Sequence, residues 1–269
     1  MSDPGTTVRR SLVTLLGVAL IAVFISEGFA QGTKAGTYLG NPETLGNGTA
    51  RSFVTLDKAG KPTAIGVILS ETALSGLPSA EPEYEYMLPL PKEAEVTGYN
   101  HIAVNWNPKG HPPPGVYTVP HFDFHFYLIS PEERNKITAT GDDLERAHKA
   151  PAPEFAPKGY ILPPGTEVPR MGAHMVNPAA PEFQKKPFAR TFIYGFYDGQ
   201  MIFVEPMATK TFLESKPSVR ERISVPQAYP RSAYYPTRYV VKYDPSSKAL
   251  RVSLEGLVRR DGKKAQAAR

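Results

Sequence analysis

Pro120-His121-Phe122-Asp123-Phe124-His125-Phe126-Tyr127 alternates ionisable and aromatic side chains without a break. Successive side chains of a strand point to opposite faces. Phe122, Phe124 and Phe126 therefore line one face, and His121, Asp123, His125 and Tyr127 the other. The phenylalanine face can enter a core. The opposite face then gathers two imidazoles and a carboxylate, and burying such groups is costly unless they find partners or a ligand.

Alternation recurs in residues 49–56 and 83–90. Residues 49–56 (TARSFVTL) and 63–69 (TAIGVIL) flank the turn Asp57-Lys58-Ala59-Gly60-Lys61-Pro62 and predict a pair of strands. Further strands are predicted over 83–90, 96–106, 117–129, 191–196, 201–205, 237–243 and 249–257. Tyr197-Asp198-Gly199-Gln200 carries the Asp-Gly signal of a tight hairpin. Ser130-Pro131-Glu132-Glu133 reads as a helix start, with Ser as cap, Pro in the first turn and acids after it. Short helices are also predicted over 70–77 and 142–148. With 28 prolines and 22 glycines among 269 residues, the chain suits a mainly β protein: an antiparallel β-barrel or sandwich with a few short helices.

The first thirty residues follow a different logic. Arg9 and Arg10 precede an apolar run from Leu12 to Ile25, and Ser26-Glu27-Gly28-Phe29-Ala30 ends it on a small residue. This is the layout of a signal peptide cleaved after Ala30; left uncleaved, it would be the chain's one membrane anchor. The expected organisation is a signal peptide (1–30), a single β-rich domain (31–258) and a basic disordered tail (259–269). The expected location is periplasmic or extracellular. An exported chain with no cysteine has no disulfides, so stability must come from its core, a metal or assembly. The formal charge is +5, but the bases are scattered, which argues against a nucleic-acid surface. No Gly-rich phosphate loop, Gly-x-Ser-x-Gly elbow or His-Glu-x-x-His is present, which argues against nucleotide, serine-hydrolase and zincin chemistry.

Without cysteine, a metal would be held by His, Asp and Glu, which suits Zn, Mn, Fe, Ni or Cu. The candidate ligands are His121, Asp123, His125, His174, Glu205 and His111. Strand residues two apart lie about 6.5–7 Å from each other and four apart about 13 Å. His121 and His125 therefore share one ion only on a distorted strand, and the reading expects Asp123 with one of them to be completed by His174 or Glu205. Asp123 can instead orient an imidazole. The alternative is that the row is structural or buried at an interface of a non-catalytic oligomeric envelope protein. Whether the protein is an enzyme stays open. The expected partners are other copies of the chain and a small-molecule ligand.

Two resemblances follow from the motifs. Gly115 before His121, and Pro169, Gly172 and His174 further on, give an architectural analogy to cupins, although cupins carry His-x-His and place the glutamate earlier. A nearer one rests on Asn105-Trp106-Asn107-Pro108-x-Gly110-His111-x-Pro113, Pro120 to Tyr127, Met171-Gly172-x-His174, Tyr197-Asp198-Gly199 and Glu205-Pro206-Met207-x-Thr209. Over about 35–257 these resemble an uncharacterised family of exported bacterial proteins, whose named member is a Thermus protein under sigma-E control and seen as a homodecamer. The resemblance implies an exported, β-rich, oligomer-forming domain with a candidate metal site.

Overall fold

The hydrophobic core lies between two antiparallel sheets of seven strands each. The structure is a computed structural model and describes residues 1–2, 34–80 and 82–263. The expected signal segment falls outside the described residues. In chain order the strands are β1 (Gly36–Leu39), β2 (Glu43–Leu45), β3 (Gly48–Leu56), β4 (Pro62–Ser70), β5 (Tyr84–Pro89), β6 (His101–Asn107), β7 (His121–Tyr127) and β8 (Glu167–Val168). They continue with β9 (Gly172–Met175), β10 (Arg190–Tyr197), β11 (Gln200–Thr209), β12 (Ser218–Arg222), β13 (Ala233–Tyr235), β14 (Arg238–Asp244), β15 (Ala249–Glu255) and β16 (Val258–Arg260). Among the described residues there are three α-helices, each of five residues: α1 (Pro131–Asn135), α2 (Leu144–His148) and α3 (Lys210–Glu214).

The first sheet runs β1-β3-β4-β15-β14-β12, with β2 also on β3. The second runs β5-β6-β7-β11-β10-β9-β8, and the sheets include a curled half-barrel. The fold is thus mostly β, with antiparallel sheets and few short helices. Phe122, Phe124 and Phe126 are fully buried in the main core, together with Ile65, Val67 and Val252 of the first sheet. Each buried phenylalanine contributes about 1.5–3 kcal/mol relative to exposure. His121, Asp123, His125 and Tyr127 on the other face of β7 are buried as well.

Local chemistry sets the turns. Asp57 Oδ1 accepts from the amides of Ala59 and Lys61 at 2.8 and 3.0 Å, closing the β3–β4 hairpin. Asp198 and Gly199 both take positive φ (51° and 72°), as a two-residue turn matched to strand twist requires. Ser130 caps α1, accepting from the Glu133 amide while Glu133 accepts from the Ser130 amide.

Some boundaries differ from the sequence expectation. Residues 96–100 do not extend β6: Lys92–Thr97 forms a 3-10 helix behind Pro91 and ends at Gly98 in the left-handed region. The helix expected over 70–77 is a single 3-10 turn, Glu71–Leu74. The strand expected over 117–129 spans only His121–Tyr127, and residues 117–120 belong to the preceding loop. The basic tail does not begin at 259, because Arg259 and Arg260 pair with Tyr234 and Ala233 in the β13–β16 ladder. The backbone groups of that short ladder satisfy one another, which a charge-based reading of the tail does not anticipate.

Candidate metal centre

The face of β7 that carries His121, Asp123 and His125 is completed by cross-strand register. β6, β7 and β11 are neighbours, with Asn107 opposite His121, Asn105 opposite Asp123 and Ala103 opposite His125. Asp123 lies opposite Met207, and Phe126 opposite Val204. That register sets His125 against Glu205. On the outer side of β11, β10 brings Gly195 opposite His174 of β9. Gly195 is needed here, because a Cβ would stand 2.0 Å from the Phe203 ring. That ring packs against His125 (centroids 4.9 Å apart) and His174 (5.4 Å).

All six candidate residues reach this face, and they separate into two triads. One holds His111, His121 and Asp123; the other holds His125, His174 and Glu205. Within each triad one ligand-type atom from every member lies within 4.8 Å of the other two. Asp123 Oδ1 is 3.2 Å from His121 Nε2, and Asp123 Oδ2 is 3.5 Å from His111 Nε2. Glu205 Oε2 is 3.4 Å from His125 Nε2 and 3.9 Å from His174 Nε2. With metal–ligand distances near 2 Å, donors 3.2–3.5 Å apart subtend roughly 100–120° at a common ion, close to tetrahedral, whereas the 3.9 Å between His174 and Glu205 subtends about 150° and must shorten around a tetrahedral ion.

The expected completion of the row is corrected. Asp123 and His121 are joined by His111, not by His174 or Glu205, while His125 joins those two without Asp123. The division falls between Asp123 and His125 because β7 is regular, so its two histidines stay too far apart to meet. His111 arrives by a local reversal: Gly110 adopts φ +73°, and a Cβ there would stand 2.0 Å from the Tyr117 carbonyl oxygen. The His111 amide donates to that carbonyl at 3.1 Å, folding the loop after β6 back over β7.

The remaining ring nitrogens are all engaged. Nδ1 of His111, His121 and His174 meets the backbone carbonyls of Pro112, Val119 and Thr166 at 2.7, 2.6 and 2.8 Å, and Nδ1 of His125 meets Asn105 Oδ1 at 3.1 Å. A carbonyl oxygen only accepts, so each Nδ1 carries the hydrogen and each neutral ring keeps its lone pair on Nε2. This is how outer-shell partners orient metal-ligating histidines. Asn107 Nδ2 donates to Asp123 Oδ2 at 2.6 Å.

His121 is fully buried, and Asp123, His125 and Glu205 nearly so. Yet His121 Nε2, Asp123 Oδ1, His125 Nε2 and Glu205 Oε2 have no hydrogen-bond partner. Such orphaned atoms are rare in native interiors, and here they are the atoms that face one another. A single chain covers them, so no subunit interface is needed to bury the row.

The electrostatics of the two triads differ. Burial alone would raise Asp123, but His121 and His111 outweigh it and hold the carboxyl well below its ordinary range. Burial would likewise lower His111, and Asp123 overrides it to lift the ring to about 9. In the second triad burial dominates. It pushes Glu205 well above the usual carboxylate range, helped by Asp123 and Glu83, and it pushes His125 and His174 down.

The two other histidines stay outside the triads. His101 stacks on Tyr127 (4.7 Å, 12° between planes) and is pushed down to about 4, by burial first and by Arg134 second. His148 pairs with Glu167. Sequence reasoning missed Asn105, Asn107 and Phe203. Asn105 lay in the strand expected over 96–106, on the face that carries Asp123 across the ladder, and Asn107 follows on the same face one residue past the expected end.

Gly195→Ala tests the packing behind the second triad. Overpacking against Phe203 should destabilise the chain by about 1–3 kcal/mol, read by urea denaturation. A neutral result would show that Phe203 can move away freely.

Comparison with known proteins adds one finding. Residues 57–106 match the model of the TTHB210-like family, described as hypothetical protein TTHB210. This is the family that the motifs resemble, and its description carries no activity. The matched span runs from the start of the β3–β4 turn into β6. It ends before His111, so the match contains none of the six ligand-type residues. Neither a curated protein nor a solved structure matches the chain, and nothing in the match supports the analogy to cupins.

Proposed function

We propose that this chain binds divalent transition-metal ions through His111, His121, Asp123, His125, His174 and Glu205. The observation that carries the reading is the set of buried, partnerless atoms: two imidazole nitrogens and two carboxylate oxygens, each aimed at another acceptor. Two lone pairs at 3.2–3.4 Å repel unless a proton or a cation lies between them. The four oriented Nδ1–H groups favour a cation, because they present every Nε2 as a ligand. Two imidazoles and one carboxylate suit Zn, Fe or Mn, and three protein ligands leave a coordination position for water or another small ligand. An ion so placed would supply Lewis acidity or an activated water. The protein's contribution is to hold the donors in place and keep the pocket dry.

Elemental analysis tests the reading. The full chain would be stripped with EDTA, dialysed separately against Zn, Mn, Fe, Ni and Cu, and freed of excess ion. Stoichiometric retention of at least one of these metals is expected, with loss of part of it in His121→Ala and in His174→Ala. Folded protein that retains none of the five metals would overturn the proposal.

A further inference from the structure

The two triads are built from different material, and that difference has a consequence. His125, Glu205 and His174 come from β7, β11 and β9, three strands of one sheet. Their side chains are 2%, 2% and 14% exposed, and Phe203 packs on both imidazoles. To release a ligand, this triad must open a sheet in its interior. His121 and Asp123 also sit on β7, but His111 sits in the loop between β6 and β7. Its side chain is 33% exposed, and Pro112, Pro113, Pro114 and Gly115 beside it are exposed. The loop leans on the sheet through Tyr117, whose ring meets Phe183 and Phe188 edge-on at 5.9 and 4.9 Å. One ligand of the first triad can therefore leave without breaking a strand pair.

We propose that the chain holds two ions with different jobs. The ion in the strand-built triad is locked in place and structural. The ion in the triad closed by His111 exchanges with solvent and presents its open coordination position to a small anionic ligand that enters past the loop. This inference rests on the metal-binding reading above and adds to it a stoichiometry, a division of labour and a ligand class. The class follows from charge: a divalent ion with one carboxylate and two neutral imidazoles carries a net positive charge. The groups facing the open triad are Asp123 and His121 from β7, His111 from the loop and Asn107 from β6, with the exposed, water-screened Glu83 carboxylate acting on Asp123 and His111 from the entry to β5. None of them brings a second positive charge once His111 is a ligand.

The test uses full-length chain reconstituted with Co(II) or Zn(II). Metal content should be two ions per chain, one for each triad. Release to the chromogenic chelator pyridylazoresorcinol should be biphasic. The slow phase should lag by more than about tenfold, since strand ligands open at far higher free energy than a loop ligand. His111→Ala should abolish only the fast phase, and His174→Ala only the slow one. Azide should perturb the visible Co(II) spectrum of wild type and of His174→Ala, but not that of His111→Ala. Circular dichroism would establish that each variant is folded, and the wild-type release kinetics stand without any variant. One ion per chain, a single release rate, or an azide response that survives in His111→Ala would overturn this inference while leaving metal binding intact. No bound metal in wild type would instead overturn the reading beneath it.

Discussion

Zinc at a hundredfold excess over its dissociation constant should raise the melting temperature by roughly 5–11 °C for each occupied triad, from about 2.7 kcal/mol of linkage per site in a domain of this size. EDTA should reverse the shift fully. The size of the effect follows from what the metal-free chain tolerates. His125 Nε2, Glu205 Oε2, His121 Nε2 and Asp123 Oδ1 are buried without partners, and each unsatisfied polar group costs about 1–3 kcal/mol. An ion placed among them removes that cost and is bound at the expense of the unfolded chain, which has no preformed site. His125→Ala should remove the second triad's share of the shift and keep the first's. His121→Ala should do the reverse, and the double variant should melt at the same temperature with and without zinc. Differential scanning calorimetry in the two buffers reads all four proteins. A wild type indifferent to zinc, manganese and iron would be incompatible with a metal centre.

The second large effect is expected away from the triads, at Arg134. This guanidinium is fully buried on α1. It lies 4.4 Å over the Tyr127 ring, donates to the Arg170 carbonyl at 3.2 Å and pairs with Glu85 of β5, which also receives Arg170 at 2.8 Å. Breaking a buried ion pair by deleting one partner leaves a charge that nothing compensates, and typically destabilises by about 3–5 kcal/mol. Glu85→Ala should therefore unfold at markedly lower urea concentration than wild type. Glu85→Gln with Arg134→Met should recover a large part of the loss, because no charge is then stranded. If Glu85→Ala costs less than about 1 kcal/mol, the pair behaves like an exposed one.

The same pair has a pH signature. Burial alone would raise the Glu85 carboxyl, but Arg134 and then Arg170 outweigh burial and hold it below its ordinary value. A depressed carboxylate contributes stability that is fully present above its unfolded pKa, near 4.3, and lost as pH falls through the lower folded value. Between pH 5 and about 3 the wild type should lose more stability than the double variant, as read by urea midpoints across that range.

The outline of the fold was legible in local chemistry. Alternation in residues 49–56 and 121–127 marked strands because successive side chains of a strand face opposite ways, and the apolar run of 63–69 after a turn marked another. Asp198-Gly199 marked the β10–β11 turn, and Ser130 to Glu133 marked the start of α1, because backbone conformation and capping there depend on neighbours in the chain. β1, β2, β8, β12, β13 and β16 escaped notice: all have five residues or fewer, and β12 and β16 are rich in charge. β9 was also missed, although His174 on it was singled out. Its strand character comes from pairing with β10, and Gly172-Ala173-His174-Met175 shows no pattern of its own.

Taken by itself, the sequence determined the types of donor, their exclusion of sulfur, and the geometric fact that His121 and His125 cannot serve one ion on a regular strand. Which residues stand together was decided only in three dimensions. The β7–β11 register set Glu205 against His125, the β9–β10 pairing delivered His174 beside Gly195, and the reversal at Gly110 carried His111 to Asp123. Side-chain type and spacing are local properties that a short window of sequence contains. Register, sheet curl and loop return are settled by the packing of the whole chain, so the six residues could be named from the sequence while their division into two triads could not.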